Sequence, residues 1–134
     1  MRAVSRMAVS SSRQFSRRAT RWWQAVGLYA VVMAVFAVAP LPEQPLTPVG
    51  PLDKMEHVCE YALFAWGLAH AARLSAYSTT SLVLVAMIAP MLYGGVLEVV
   101  QAFIPYRSAE WGDVAADVLG VMMGFVIGSW RHGG

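Results

Sequence analysis

Hydrophobic positions in this chain come in long blocks rather than at the three-to-four-residue spacing of an amphipathic helix on a soluble core. The first block, Trp22 to Ala39, has only Gln24 as a strongly polar residue and is long enough to cross a bilayer. Ala37-Val38-Ala39 mimics a signal-peptide cleavage site, but Pro40 directly after it would hinder cleavage, so a retained helix is favoured. Prolines at 40, 42, 45, 48 and 51 then exclude a helix and imply an extended loop. Asp53 with Glu56 three residues later resembles a capping box opening a second helix, which runs through Leu63, Phe64 and Trp66. Ser75 to Thr80 is a polar turn. A third block reaches Phe103 and contains Pro90, where a kink is expected, and the Gly94-Gly95 pair. After the polar stretch Ile104 to Trp111 comes a fourth block, with Gly120, Gly124 and Gly128 at the four-residue spacing that lets membrane helices pack closely.

The pattern therefore predicts an all-α polytopic membrane protein with four transmembrane helices, at about 22–39, 54–74, 81–103 and 112–130. Residues 1–20, rich in Ser and Arg and without apolar periodicity, read as a mobile basic tail before a membrane domain at 21–131. Their acid-free character also mimics an organellar transit peptide.

Composition supports this picture. The chain of 134 residues is 57% hydrophobic and only 13% charged, against roughly 25% charged for a soluble domain. Its net charge is +2, but Arg2, Arg6, Arg13, Arg17, Arg18 and Arg21 all precede the first apolar block. Without interleaved aromatics, and leading straight into that block, they point to topology rather than nucleic acid. With the N-terminus inside, Arg73 and Arg131 join them, and only Lys54 and Arg107 lie outside. This positive-inside bias puts both termini in the cytoplasm and the 40–52 and 104–111 loops outside. The single Cys59 excludes an internal disulfide.

All eight acidic residues fall between Glu43 and Glu60 or between Glu98 and Asp117. Ionisable groups in such apolar surroundings cost on the order of 3 kcal/mol each to insert at mid-membrane, and mark functional sites. Asp53, His57 and Tyr61 stand four residues apart on one face of the second helix, with Glu60 beside it. Glu98 and Gln101 share a face of the third, and Asp113, Asp117, Gly120 and Gly124 form a stripe on the fourth. His57 is a candidate general base or nucleophile oriented by Asp53, and Glu98 a candidate general acid; Asp113 joins this catalytic set. Lys54 and Arg107 are the outward cations for an anionic group, with Tyr61, Gln101 and Asp117 beside them as binding residues. His57 with Asp53 and Glu60 hints at zinc, but no second His or Cys lies nearby, so neither a metal nor another cofactor is expected.

These pieces, in this order, resemble the VanZ-like family of small integral membrane proteins, named for a teicoplanin-resistance accessory protein. The resemblance covers Asp53 to about Gly128. It rests on Asp53-Lys54-x-x-His57-x-x-x-Tyr61, Glu98-x-x-Gln101, Arg107-Ser108, and Asp113 followed by the Gly120 and Gly124 helix. Asp117 departs from it, the family usually carrying Asn there. The resemblance implies four spanning helices and an outward polar site in a bacterial inner membrane, without defining an activity.

From the residues, the site suits an anionic or phosphorylated lipid head group, or a lipid-linked envelope precursor, at the outer leaflet. Binding and turnover both remain open. A non-catalytic accessory role in envelope or glycopeptide-antibiotic resistance is the alternative. A proton-coupled carrier is disfavoured because the inner half has few polar groups.

Overall fold

The computed structural model describes residues 2–40, 51–107 and 109–130, with side chains from Ser16 onward. Four long helices follow one another in the chain. They are α1 (Arg2–Val38), α2 (Pro51–Leu74), α3 (Thr79–Ala102) and α4 (Trp111–Ser129). No strand occurs among the described residues.

Three of these bounds correct the sequence reading. Residues 2–20, expected as an irregular tail, continue α1. This stretch holds no Gly or Pro, and its Arg, Ala, Met and Gln residues are good helix formers. α2 begins at Pro51, not Asp53, since proline suits the first position of a helix, where no N–H is needed. Asp53 therefore sits inside the first turn. α4 begins at Trp111 after Glu110, which has extended backbone angles, so Asp113 is also inside a first turn. The proline-rich loop falls largely on residues 41–50, outside the described residues.

Pro90 leaves a local mark. It has no N–H to donate to the preceding turn, and the chain ahead of it widens into a π-helical turn at Leu84–Ile88. There the Ala89 N–H reaches Leu84 O, five residues back. Helix register shifts at this point while α3 continues to Ala102.

The α2–α3 connection is tight. Ala76 adopts a left-handed φ of 55°, and the Ala76 and Tyr77 amides donate to Arg73 O and Ala72 O at 2.9 and 3.1 Å. This closes the end of α2 by a Schellman-type pattern. Near this end the Trp22, Trp66 and His70 rings cluster, with His70 4.4 Å from Trp22 and stacked on Trp66 at 5.8 Å by ring centroid. Arg73 caps α4 through Ser129 O and Trp130 O.

α2 is the centre of the bundle. The other three helices all pack on it, α4 most extensively. Its buried face is small: Ala65, Gly67, Ala69, Ala71 and Ala72, with Tyr61, Phe64 and Leu68 as the large members. Val26 and Met33 of α1, Ala86 of α3 and Val121 of α4 complete the core. The large aliphatic residues point outward instead, including Leu28, Val35 and Phe36 on α1, Leu92, Val96 and Val99 on α3, and Leu119, Val126 and Ile127 on α4. Small residues inside and large apolar ones outside is the distribution expected in lipid, where helix association depends on close packing rather than on hiding apolar surface.

α1 (over Ser16–Val38), α3 and α4 are long and apolar enough to cross a membrane. α2 matches them in length at 24 residues, but it carries Asp53, Lys54, Glu56, His57 and Glu60 in its first turns.

The glycine stripe sets the α2–α4 distance. A Cβ added at Gly124 would run into Ala62 O and come within 2.9 Å of Ala62 Cα. One added at Gly120 would strike Val58 O, and one at Gly128 would lie 2.8 Å from Ala69 Cβ. Backbone cannot rotate away as a side chain can. Gly124→Ala is expected to destabilise the purified protein by about 2 kcal/mol, read as thermal unfolding in detergent. Gly95→Ala, which has open space around it, should not lower the melting temperature and, by relieving a helix-interior glycine, should raise it slightly.

Candidate functional site

The C-terminal ends of α1 and α3 and the N-terminal ends of α2 and α4 meet at one end of the bundle. Side-chain contacts between these ends define the site. Lys54 on α2 reaches across to α4, where its Nζ lies against Asp113 Oδ1 and 3.0 Å from Glu110 Oε2. Asp53 Oδ2, on the same helix as Lys54, is 3.6 Å from that ammonium. Gly112 makes the reach possible, because a Cβ there would stand 2.9 Å from Lys54 Cε.

One turn deeper, His57 Nδ1 is 2.8 Å from Asp117 Oδ1. The imidazole is 24% exposed and the carboxylate 5%, so the pair marks the floor of the site. With Asp117 ionised and the imidazole neutral, the Nδ1–H donates to the carboxylate and the Nε2 lone pair is left available. Tyr61, one further turn down, is buried. Its hydroxyl and Asp117 Oδ2 both crowd Gly94 of α3, within 3.0 Å of where a Cβ would stand. Gly94 is thus the gap in α3 that admits both groups. Glu98, buried on the same helix, accepts the Glu110 N–H at 2.5 Å and so ties α3 to the start of α4.

A family model described as VanZ/LLP1 matches residues 7–132, nearly the whole chain. The chain belongs to the VanZ/LLP1 family. No curated protein and no solved structure matches it.

Within this VanZ/LLP1 protein, the structure sorts the residues singled out in the sequence into two groups. Asp53, Lys54, His57, Tyr61, Glu98, Asp113 and Asp117 converge around the α2–α4 seam. Gln101 and Arg107 do not join them. Gln101 Nε2 donates to Ala37 O at 3.2 Å, and Arg107 donates to Phe36 O at 2.6 Å and Ala39 O at 3.0 Å. Tyr106 OH adds a bond to Val38 O at 2.9 Å. Together they satisfy carbonyls that the end of α1 leaves without helical partners. Ser108, the other half of the Arg107-Ser108 pair, lies outside the described residues.

Two partnerships differ from the sequence reading. Asp117, not Asp53, orients His57, because the close α2–α4 approach brings α4 nearer to the imidazole face than the preceding turn of α2 does. Glu110, to which the sequence reading gave no partner, pairs with Lys54. Sequence reasoning did not place Glu110 in the site, nor Gly94 and Gly112 as the gaps that shape it. The Glu110-x-x-Asp113 spacing across the start of α4 was the available signal.

Two chemical capacities follow. An imidazole held by a buried carboxylate is an oriented base or ligand. In addition, one oxygen each from Asp53 and Asp113 and one ring nitrogen of His57 lie within 4.8 Å of one another, a grouping able to hold a metal ion. Asp113 takes the place that the sequence suggested for Glu60.

If the Lys54 contacts are mutually supporting, Lys54→Met should destabilise the protein by leaving Asp113 without its cation, and Lys54→Met combined with Asp113→Asn should recover part of that loss. A double-mutant cycle on thermal stability is expected to give a coupling of about 1 kcal/mol. Arg107→Ala should cost about 1–3 kcal/mol in the same assay, with Arg107→Lys only partly restoring it.

Proposed function

We propose that this membrane protein binds an anionic or phosphorylated lipid head group, or a lipid-linked envelope precursor, at the outer leaflet of a bacterial inner membrane. One observation carries the reading: a cluster of ionisable groups from three helices sits at one end of a bundle whose outside is aliphatic. Such groups are costly near lipid and persist where they meet a polar ligand. In this reading the cluster, within one to three turns of the helix ends, lies at the depth of the lipid head groups.

In this reading α2 crosses the membrane with the other three helices. Its length of about 36 Å at 1.5 Å per residue exceeds a hydrocarbon core of about 30 Å. Its charged first turns lie at the head-group level, and Arg73 lies at the opposite surface. Arg17, Arg18 and Arg21 also belong to the end opposite the cluster, so the positive-inside rule turns the cluster outward and both termini inward.

His57, oriented by Asp117 and half-open to the surface, is the group that would act on the ligand as base, with Glu98 as the acid. A non-catalytic accessory role is supported by a separate observation: Lys54 and Arg107 are both engaged inside the protein. Lipid analysis of a deletion strain distinguishes the two. Accumulation of one lipid-linked species favours turnover, and an unchanged lipid profile favours accessory binding.

His57→Ala in folded, purified protein is expected to lower retention or turnover of an anionic phospholipid about ten-fold, read by mass spectrometry of bound lipid and product. Wild-type levels in that variant would overturn the reading. For topology, single cysteines introduced in a Cys59→Ser background at Tyr106 and Trp130 should differ. An impermeant thiol reagent applied from outside should label Tyr106→Cys and spare Trp130→Cys.

A further inference from the structure

We propose that Asp53, His57 and Asp113 bind a divalent transition-metal ion, and that this ion supplies the positive charge through which the head group is held. The second half of the proposal rests on the head-group reading above; the first half does not. An ion on His57 Nε2 takes the lone pair that the base role would use, so with the ion bound His57 is a ligand and not the base.

Charge balance raises the need. Around Lys54 and His57 gather the carboxylates of Asp53, Glu98, Glu110, Asp113 and Asp117. The Lys54 ammonium is already shared among Asp53, Glu110 and Asp113. Arg107, the other basic residue near this end, is directed to the carbonyls of Phe36 and Ala39 instead. A phosphate brought to this cluster would meet an excess of negative charge at a few ångströms, which is repulsive at any plausible dielectric. A cation between carboxylates and phosphate reverses the sign of that interaction.

Donor chemistry identifies the cation. The set is mixed, one imidazole nitrogen and two carboxylate oxygens, contributed by two different helices with all three donor atoms within 4.8 Å of one another. Three protein ligands with the remaining position open is the arrangement of reactive rather than purely structural metal sites. Burial matches it, since Asp113 is buried while Asp53 and His57 are half-exposed. Donors at metal-bond length around a tetrahedral ion stand about 3.4 Å apart, so closure requires side-chain movements of about an ångström. Imidazole with carboxylate suits Zn²⁺ or Mn²⁺, whereas Mg²⁺ and Ca²⁺ prefer oxygen throughout.

Two further observations fit an ion at this place. The Nδ1 of His57 is held at 2.8 Å by Asp117, a residue outside the donor set. This is the carboxylate–histidine support that fixes the tautomer of metal-binding imidazoles and leaves Nε2 to ligate. Lys54 shows that the carboxylates already recruit a cation, and its flexible stem beside Gly112 allows it to withdraw when a stronger one arrives.

The test is a calorimetric titration of Zn²⁺ into the full chain, purified metal-free in non-ionic detergent without added lipid, with Mn²⁺ binding followed by electron paramagnetic resonance. One ion per chain is expected. His57→Ala and Asp113→Asn should each weaken binding at least about ten-fold, and Lys54→Met, by removing the competing ammonium, should tighten it. Cys59→Ser and His70→Ala should change nothing. The unmodified protein is read first, so misfolding of a variant cannot hide a null result. Absence of binding for both ions overturns the ion site, as does binding that survives His57→Ala with Asp113→Asn or is lost with Cys59→Ser. A second titration uses short-chain phosphatidylglycerol with and without Zn²⁺, with about ten-fold tighter binding expected in its presence. Equal binding with and without the ion overturns its role in holding the head group, and no lipid binding under either condition overturns the head-group reading while the ion site stands.

Discussion

The close approach of α2 and α4 governs this structure. In lipid, apolar side chains gain little by leaving one apolar environment for another, so two helices associate to the extent that their backbones can come near each other. Gly120, Gly124 and Gly128 remove the side chains that would keep α4 away from Val58, Ala62 and Ala69 of α2. The same register that sets glycine against backbone at one end carries Asp113 and Asp117 onto Lys54 and His57 at the other. Packing and site are thus one interaction seen at two depths.

That coupling explains how so many ionisable groups can be kept at the edge of an aliphatic bundle. The carboxylates at the α2–α4 seam have specific partners: Asp113 and Glu110 share the Lys54 ammonium, Asp117 holds His57, and Glu98 accepts the Glu110 amide. Around them the segment between α3 and α4 is pinned from both sides. Arg107 and Tyr106 attach it to the last carbonyls of α1, while Glu110 attaches it to α2 and α3. The far end of the bundle is closed by different means, with Arg73 capping α4 and the Trp22, Trp66 and His70 rings clustered there. One end is therefore apolar and aromatic with basic residues, and the other holds the carboxylates. Such polarity suits a protein that works at one face of a membrane.

The match to the VanZ/LLP1 family over residues 7–132 takes in every residue of the site. The structure gives Asp117 a definite place in it. Asp117, the position at which the sequence departs from the resemblance, carries the carboxylate that holds His57, and it does so from the floor of the site, where Gly94 opens α3 to receive it. An aspartate in that place presents a full negative charge to the imidazole, where an amide would offer only a dipole.

Blocks of apolar residues, proline-rich and polar breaks, and the four-residue glycine period were enough to determine helices in the right order, because each depends on local hydropathy and backbone chemistry. The same local rules showed that the ionisable residues gather toward one end. Boundaries were less legible: Pro51 and Trp111 start their helices a little earlier than the acidic residues suggested, and α1 extends back to Arg2 because nothing in that stretch breaks it. Pairing was not legible at all. Periodicity places Asp53 and His57 on one face of α2 but does not say which neighbouring helix meets that face, or how closely. Only the tertiary structure decided that Asp117 orients His57, that Glu110 joins Lys54, and that Gln101 and Arg107 serve the end of α1. Those choices depend on interhelical distance and rotation, which arise from contacts between residues remote in the chain.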